Sequence, residues 1–128
     1  MLPDYIKKML APYFPEIDLG DIRVRERVPW YVPVQATAYA NRNRIYFASG
    51  CYDPDSPEGI ALIAHELSHC AQYKNYGAWR FRVLYIISWL RELWRHGSFD
   101  KAYSQNRFEV AARAVEERVF ADLSNWRV

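Results

Sequence analysis

The sequence predicts an α+β fold in which a small antiparallel sheet packs on one long apolar helix and two further long helices complete the core. β-prone segments bounded by turn residues lie between residues 21 and 48, and helical periodicity dominates from residue 56 onwards. A chain of 128 residues, 51% of them hydrophobic, can bury one such core, so we expect a single domain over residues 1–128.

The first half of the chain predicts one short helix and three strands. Residues 4–13 carry apolar side chains at helical spacing. Residues 21–28 alternate between apolar and basic side chains, which is typical of a strand with one basic face. Residues 36–40 and 44–48 are β-prone, and the intervening Asn41-Arg42-Asn43 predicts a hairpin turn because asparagine tolerates left-handed backbone conformations.

The second half predicts three long helices. Ser56 can cap the first of them, with Pro57 at its first position, and Gly77 can end it after about Tyr76. The second helix is expected over residues 78–95 and the third over residues 105–125.

Composition and charge narrow the class of protein. The net charge of +2 and the scattered basic residues give no reason to expect a nucleic-acid partner. The longest apolar run, residues 83–90, is too short to span a bilayer, and no secretory signal is recognisable. We therefore expect a cytoplasmic protein without a membrane partner. The two cysteines, Cys51 and Cys70, do not form the cysteine pattern of a disulfide framework.

The first long helix contains His65-Glu66-Leu67-Ser68-His69, the HExxH pattern. Residues four apart lie on one helix face a turn apart, so both imidazoles can reach one Zn²⁺ while Glu66 acts as general base. The apolar flanks predict a buried helix, where two histidines and a glutamate are costly unless a metal or hydrogen bonds satisfy them. Cys70 points about 100° away from His69 on the helix and is not expected to bind the metal.

A catalytic zinc site needs a third protein ligand, and the last helix offers glutamates for it. Glu109 and Glu116 flank its apolar stripe on the same side, whereas Glu117 points away. The helical wheel does not separate the first two. We prefer Glu109 because the small residues beside it allow a close approach to the motif helix, and we keep Glu116 as the alternative.

Residues 44–47 and 52–72, which include the motif, resemble the HExxH core domain of bacterial proteins associated with contractile injection systems. Residues 103–116 resemble the segment in which that family places its glutamate ligand, and the small size resembles the minigluzincins. The resemblance implies a zincin-like fold of gluzincin type, with His65, His69 and Glu109 as metal ligands and Glu66 as general base. One departure is Arg107 before Phe108-Glu109, where those segments often have proline; it leaves the ligand in place and alters its surroundings.

The function predicted from the motif is that of a zinc metallopeptidase, which hydrolyses peptide bonds with a metal-bound water activated by Glu66. Tyr103 is the candidate donor to the oxyanion of the intermediate, with His96 as a second candidate. A peptide or protein substrate is expected to add to an edge strand formed by residues 37–40 or 44–48. Two alternatives remain: a zinc-binding scaffold or recognition domain, and a latent enzyme whose tail, residues 125–128, fills its own cleft.

The second long helix is rich in tryptophan and arginine. We expect Trp79, Leu90, Trp94 and the other large apolar residues of this helix to pack in the core against the motif helix. The alternative is an interfacial membrane helix, and an exposed tryptophan-rich face would favour that alternative or a protein partner.

Overall fold

The computed structural model describes residues 1–27 and 38–126 of the chain. It contains five α-helices and three strands within that part: α1 (Asp4–Leu10), β1 (Arg23–Arg25), β2 (Ala38–Asn41), β3 (Arg44–Phe47), α2 (Pro57–Tyr76), α3 (Ala78–His96), α4 (Phe99–Ser104) and α5 (Arg107–Trp126). Two single 3₁₀ turns, Ala11–Tyr13 and Leu19–Asp21, connect α1 to β1. The α+β class and the two further long helices, α3 and α5, are as predicted, and α4 is an element that the sequence patterns did not predict.

The sheet is mixed and has the strand order β1-β3-β2. β2 and β3 form the predicted antiparallel hairpin, with Ala40 opposite Ile45. β1 pairs with β3 in parallel, so the prediction of a purely antiparallel sheet is wrong. Alternation within a strand reports which face is buried but not the direction of its neighbour, which depends on the path of the chain between β1 and β2. In the hairpin turn, Arg42 rather than an asparagine takes the positive φ, 59°.

α2 begins and ends where its sequence signals predict. The hydroxyl of Ser56 accepts a hydrogen bond from the backbone N–H of Gly59 at 3.0 Å, Pro57 occupies the first turn, and Gly77 ends the helix with a φ of 83°. Gly59 is also required by close packing, because a Cβ at this position would lie 1.8 Å from the carbonyl oxygen of Asp53.

The main core surrounds α2 on several sides, so this helix is buried along most of its length. α5 packs along it, and α1 and the sheet cover other parts of its surface. The fully buried members of this core come from all of these elements and include Ile6, Leu10, Ile45, Phe47, Ile63, Leu67 and Val119. Residues on every face of α2 are therefore removed from water, which is the environment that the apolar flanks of the motif predict.

α3 has a different environment. Its inner side contributes Phe81 to a second, aromatic cluster with Tyr73 and Phe108. Trp79, Leu90 and Trp94 are 78%, 51% and 93% exposed, so the prediction that they pack in the core is wrong. Both sides of α3 are apolar in sequence, and periodicity alone does not tell which of two apolar faces turns inward. None of the helices in residues 1–27 and 38–126 has the length and apolar character that crossing a membrane requires.

Candidate metal centre

His65 and His69 lie one turn apart on α2, and both are 8% exposed. Glu109 lies in the first turn of α5, is 4% exposed, and faces both of them. Its Oε1 is 3.1 Å from His65 Nε2 and 3.0 Å from His69 Nε2. The packing of α5 along α2 therefore brings together three ligand atoms from two helices.

The spacing of these atoms fits a small divalent cation. The ligand atoms of His65, His69 and Glu109 all lie within 4.8 Å of one another. A tetrahedral ion with bonds of about 2.0–2.1 Å places its ligand atoms about 3.3 Å apart, close to the separations of Glu109 Oε1 from the two imidazoles. The three residues could thus hold a metal ion after small side-chain adjustments, leaving the fourth coordination position to water or substrate.

The other ring nitrogen of each histidine also has a partner. His65 Nδ1 lies 2.7 Å from Glu116 Oε1, and His69 Nδ1 lies 2.8 Å from Gln72 Oε1. The amide of Gln72 is oriented because its Nε2 donates to the carbonyl of Phe108 at 3.1 Å. Both Nδ1 atoms therefore face acceptors and must donate. In their neutral form the two rings would therefore direct their Nε2 lone pairs to the centre, as in metal-binding histidines whose second nitrogen donates to a carboxylate or carbonyl.

The same geometry requires positive charge at the centre. When each Nδ1 donates outward, Glu109 Oε1 receives hydrogen bonds from both Nε2 atoms only if both rings are imidazolium ions. Burial lowers the pKa of His65, but the hydrogen bond to Glu109 and the charge of Glu66 outweigh burial and raise that pKa to about 8. For His69, too, burial lowers the pKa, but the bond to Glu109 together with the charges of Glu109 and Glu66 raises it above its ordinary value. One divalent cation at the centre would replace the two positive charges that the Nε2 protons provide.

Glu66 lies beside the triad and is 6% exposed. Burial raises the pKa of its carboxyl group, and the neighbouring His69 and His65 only partly counteract that effect. A carboxylate with a raised pKa takes up a proton more readily near neutral pH, which is the property of a general base. Burial opposes ionisation of Glu109 as well, but hydrogen bonds from His65 and His69 hold the pKa of Glu109 far below its usual value. The two glutamates therefore have opposite properties, one suited to accepting a proton and one suited to remaining an anion.

Two tyrosines complete the surroundings of Glu109. The hydroxyl of Tyr85, on α3, donates to Glu109 Oε2 at 2.7 Å. Burial, followed by the negative charge of Glu109, raises the pKa of Tyr85 and, likewise, that of Tyr103. The charge of Glu66 also raises the pKa of Tyr103, so the phenol of Tyr103 lies close enough to sense both glutamates. Both hydroxyls stay protonated and available as hydrogen-bond donors at neutral pH.

Comparison with protein-family profiles matches residues 1–77 to the eCIS core domain, which is more than half of the 128 residues. The chain belongs to the eCIS core domain family. Searches among curated proteins and among solved structures found no match. The family match includes His65, Glu66 and His69 and ends before Glu109, so the third member of the triad rests on the geometry of this chain.

Of the two glutamates that the sequence left open in this eCIS core domain, Glu109 faces both Nε2 atoms and Glu116 faces the outer nitrogen of His65. His96, the second candidate oxyanion donor, pairs with Glu92 at 3.1 Å. Neither cysteine belongs to the group of ligand atoms in the described part of the chain. The side chains of residues 125–128, proposed to fill the cleft, lie outside the described structure.

The structure also decides between the two segments that were predicted to provide an edge strand for the substrate. β3 is the central strand, so residues 44–48 do not provide an edge and that alternative is wrong. β2 is an edge among the described strands and packs against α2, whereas Thr37 lies outside the described residues. Residues 38–40, the described part of residues 37–40, therefore remain the candidate edge strand for pairing with a substrate peptide.

Sequence reasoning missed three residues that organise the centre of this eCIS core domain: Gln72, Tyr85 and Asn106. Asn106 is fully buried just before α5, where its Oδ1 accepts from the backbone N–H of Phe108 at 2.9 Å. Its Nδ2 donates to the backbone carbonyl of Tyr85 at 3.1 Å, which links α3 to the start of α5. The sequence did contain a signal for Asn106: an asparagine three residues before a glutamate, here Glu109, is typical of helix starts.

Proposed function

We propose that this eCIS core domain protein is a zinc-dependent metallopeptidase of the gluzincin type with a zincin-like fold. The observation that carries the proposal is the convergence of His65 Nε2, His69 Nε2 and Glu109 Oε1 beside the buried Glu66. A metal with two imidazoles, one carboxylate and an open position is the composition of catalytic rather than structural zinc sites. Glu66 distinguishes the two cases further, because a purely structural site needs no buried base beside its ligands.

The residues divide the work of hydrolysis between them. His65, His69 and Glu109 would hold the ion, and a bound Zn²⁺ would supply Lewis acidity that polarises the scissile carbonyl and acidifies water. Glu66 takes the proton of the attacking water and then delivers it to the leaving amine. Tyr103, a half-exposed phenol that is protonated at neutral pH, donates a hydrogen bond to the developing oxyanion.

The substrate would be a peptide or protein bound in extended form. β2 is an edge strand among the described residues and packs on α2, the helix that carries the motif. A peptide paired with the backbone of Ala38–Asn41 would run alongside the HExxH helix. Such binding depends mainly on main-chain hydrogen bonds and accepts varied side chains.

The test combines metal content with cleavage of a quenched-peptide library. Glu66→Gln should retain stoichiometric zinc and lose cleavage by about 100-fold or more, because the base is removed and the ligands stay. The matched control is Glu117→Gln, an exposed glutamate on α5, which should behave as the native protein.

Zinc binding without cleavage in any form would contradict the peptidase proposal and favour a zinc-binding scaffold or a latent enzyme. Removing residues 125–128 then separates these two, because a latent enzyme gains activity and a scaffold stays inert. Failure of the native protein to bind zinc would overturn the proposal as a whole.

A further inference from the structure

The outward side of α3 is an exposed apolar surface that the metal centre does not use. Six large residues at helical spacing form it, and we call this surface the outer face of α3: Trp79, Val83, Ile86, Ile87, Leu90 and Trp94. The two tryptophans at its ends are 78% and 93% exposed, and the two isoleucines are 55% and 51% exposed. Scattered exposed apolar residues are normal on soluble proteins, but a continuous stripe along a whole helix marks an interaction surface.

The charges around the outer face identify the kind of partner. α3 carries four arginines at positions 80, 82, 91 and 95 and one acidic residue, Glu92. Glu92 is buried and pairs with Arg95 at 3.6 Å and with His96 at 3.1 Å, so it contributes no free negative charge to the surface. Arg80 and Arg91 are exposed beside the apolar stripe. The partner should therefore offer an apolar region bordered by negative charge.

A second copy of this chain does not meet that requirement. Two α3 helices packed antiparallel through their outer faces would bring Arg80 of one copy near Arg91 of the other, with no exposed carboxylate on α3 to separate them. Like charges held close at an apolar interface oppose association. A membrane with anionic headgroups combines both properties, since acyl chains receive the apolar side chains while phosphates receive the arginines.

We propose that the outer face of α3 binds the surface of an anionic lipid membrane. α3 has 19 residues, so it is about 28 Å long and can lie in the interface plane. Tryptophan at both ends suits the headgroup level, where an indole ring has apolar and polar neighbours. The inner side of the same helix carries Tyr85 and stays with the metal centre, so the membrane would contact α3 without covering the triad from that side.

Vesicle flotation of the full chain tests this proposal, using phosphatidylcholine vesicles with and without phosphatidylglycerol. Native protein should float with the anionic vesicles and much less with the neutral ones, and added salt should release it. Ile86→Ser with Leu90→Ser should weaken binding by about 10-fold or more, because both half-exposed side chains lose their apolar contact with the acyl region.

Arg80→Glu with Arg91→Glu should also weaken binding to anionic vesicles, by about 10-fold or more. The matched control is Arg23→Glu with Arg25→Glu on β1, which changes net charge equally through two exposed arginines away from α3. Equal losses in both pairs would mean that binding reflects net charge alone and would overturn the assignment to α3. Unchanged thermal unfolding and zinc content identify variants that remain folded.

Two further results would also overturn the proposal. Absence of flotation with either vesicle type would show that the outer face has another occupant. A concentration-dependent dimer in sedimentation that Ile86→Ser with Leu90→Ser converts to monomer, without vesicle binding, would identify that occupant as a second copy. Neither result would affect the proposed peptidase activity, because the triad and Glu66 lie on other elements.

Discussion

The hydroxyl of Tyr85 donates to one oxygen of Glu109 at 2.7 Å, while the other oxygen of the same carboxylate lies between the Nε2 atoms of two histidines. The two oxygens of Glu109 thus have separate partners, one from α3 and the others from α2. A carboxylate held in this way has a fixed orientation, and its Oε1 is directed at the place where a metal would bind.

Tyr85→Phe should weaken zinc binding by about 10-fold to 100-fold, because Glu109 loses the partner that fixes its second oxygen. Competition with a chromophoric chelator measures the change. Tyr5→Phe is the matched control: the hydroxyl of Tyr5 also donates to a carboxylate, that of Asp55 at 2.6 Å, but at an exposed site on α1. Equal zinc affinities for native protein and Tyr85→Phe would show that Glu109 is oriented without the tyrosine.

Glu109→Gln and Glu116→Gln should have unequal effects on zinc affinity. In the proposed site Glu109 would contribute the ligand oxygen itself, whereas Glu116 would act through His65 Nδ1, 2.7 Å away, and orient the ring. We expect a loss of about 10-fold to 100-fold for Glu116→Gln and a larger loss for Glu109→Gln. Glu117→Gln, one residue further along α5, should leave the affinity unchanged. The reverse order of the first two variants would make Glu116 the ligand.

Local signals predicted the part of the site that lies on one helix. Ser56, Pro57 and Gly77 mark the ends of α2, and the spacing of His65 and His69 places their rings on one face. The helical wheel did not separate Glu109 from Glu116, because residues seven apart share a helix side, and only the small residues beside Glu109 favoured it. Their difference is one of height along α2, which depends on how α5 docks against it.

The errors in the predicted fold also concern tertiary packing, which local sequence patterns do not specify. β1 pairs in parallel with β3, and nothing within residues 21–28 specifies the direction of a strand partner. α3 is apolar on two sides, and only the arrangement of Phe81 with Tyr73 and Phe108 determines the side that is buried. Asn106 carried a local signal for a helix start, but its bond to the carbonyl of Tyr85 joins α5 to a residue 21 positions away, which no local pattern specifies. These are properties of tertiary packing rather than of local pattern.

Asn106→Ala should destabilise the protein by about 1–3 kcal/mol, since it removes a helix cap and the part-buried hydrogen bond to the carbonyl of Tyr85. The same substitution should weaken zinc binding, because Asn106 positions both Tyr85 and the first turn of α5. Chemical denaturation of metal-free protein and chelator competition measure the two effects. Asn75→Ala, at an exposed position near the end of α2, is the control and should change neither quantity. A large stability loss with unchanged zinc affinity would limit Asn106 to a structural role.

The stability of metal-free protein should fall as pH rises from about 6 to about 9, opposite to the trend of the zinc-loaded form. The folded-state pKa of His65 is raised from 6.5 to about 8, so its contribution is fully present below pH 6.5 and is lost as pH rises through about 8. That contribution is on the order of 1–2 kcal/mol, and the raised pKa of His69 acts in the same direction.

With zinc bound, protons compete with the metal for both rings, so stability rises over the same window. Denaturant titrations at several pH values measure both trends. His65→Gln should flatten the metal-free curve. A metal-free protein that becomes more stable towards alkaline pH would show that the two histidines are neutral in the folded state.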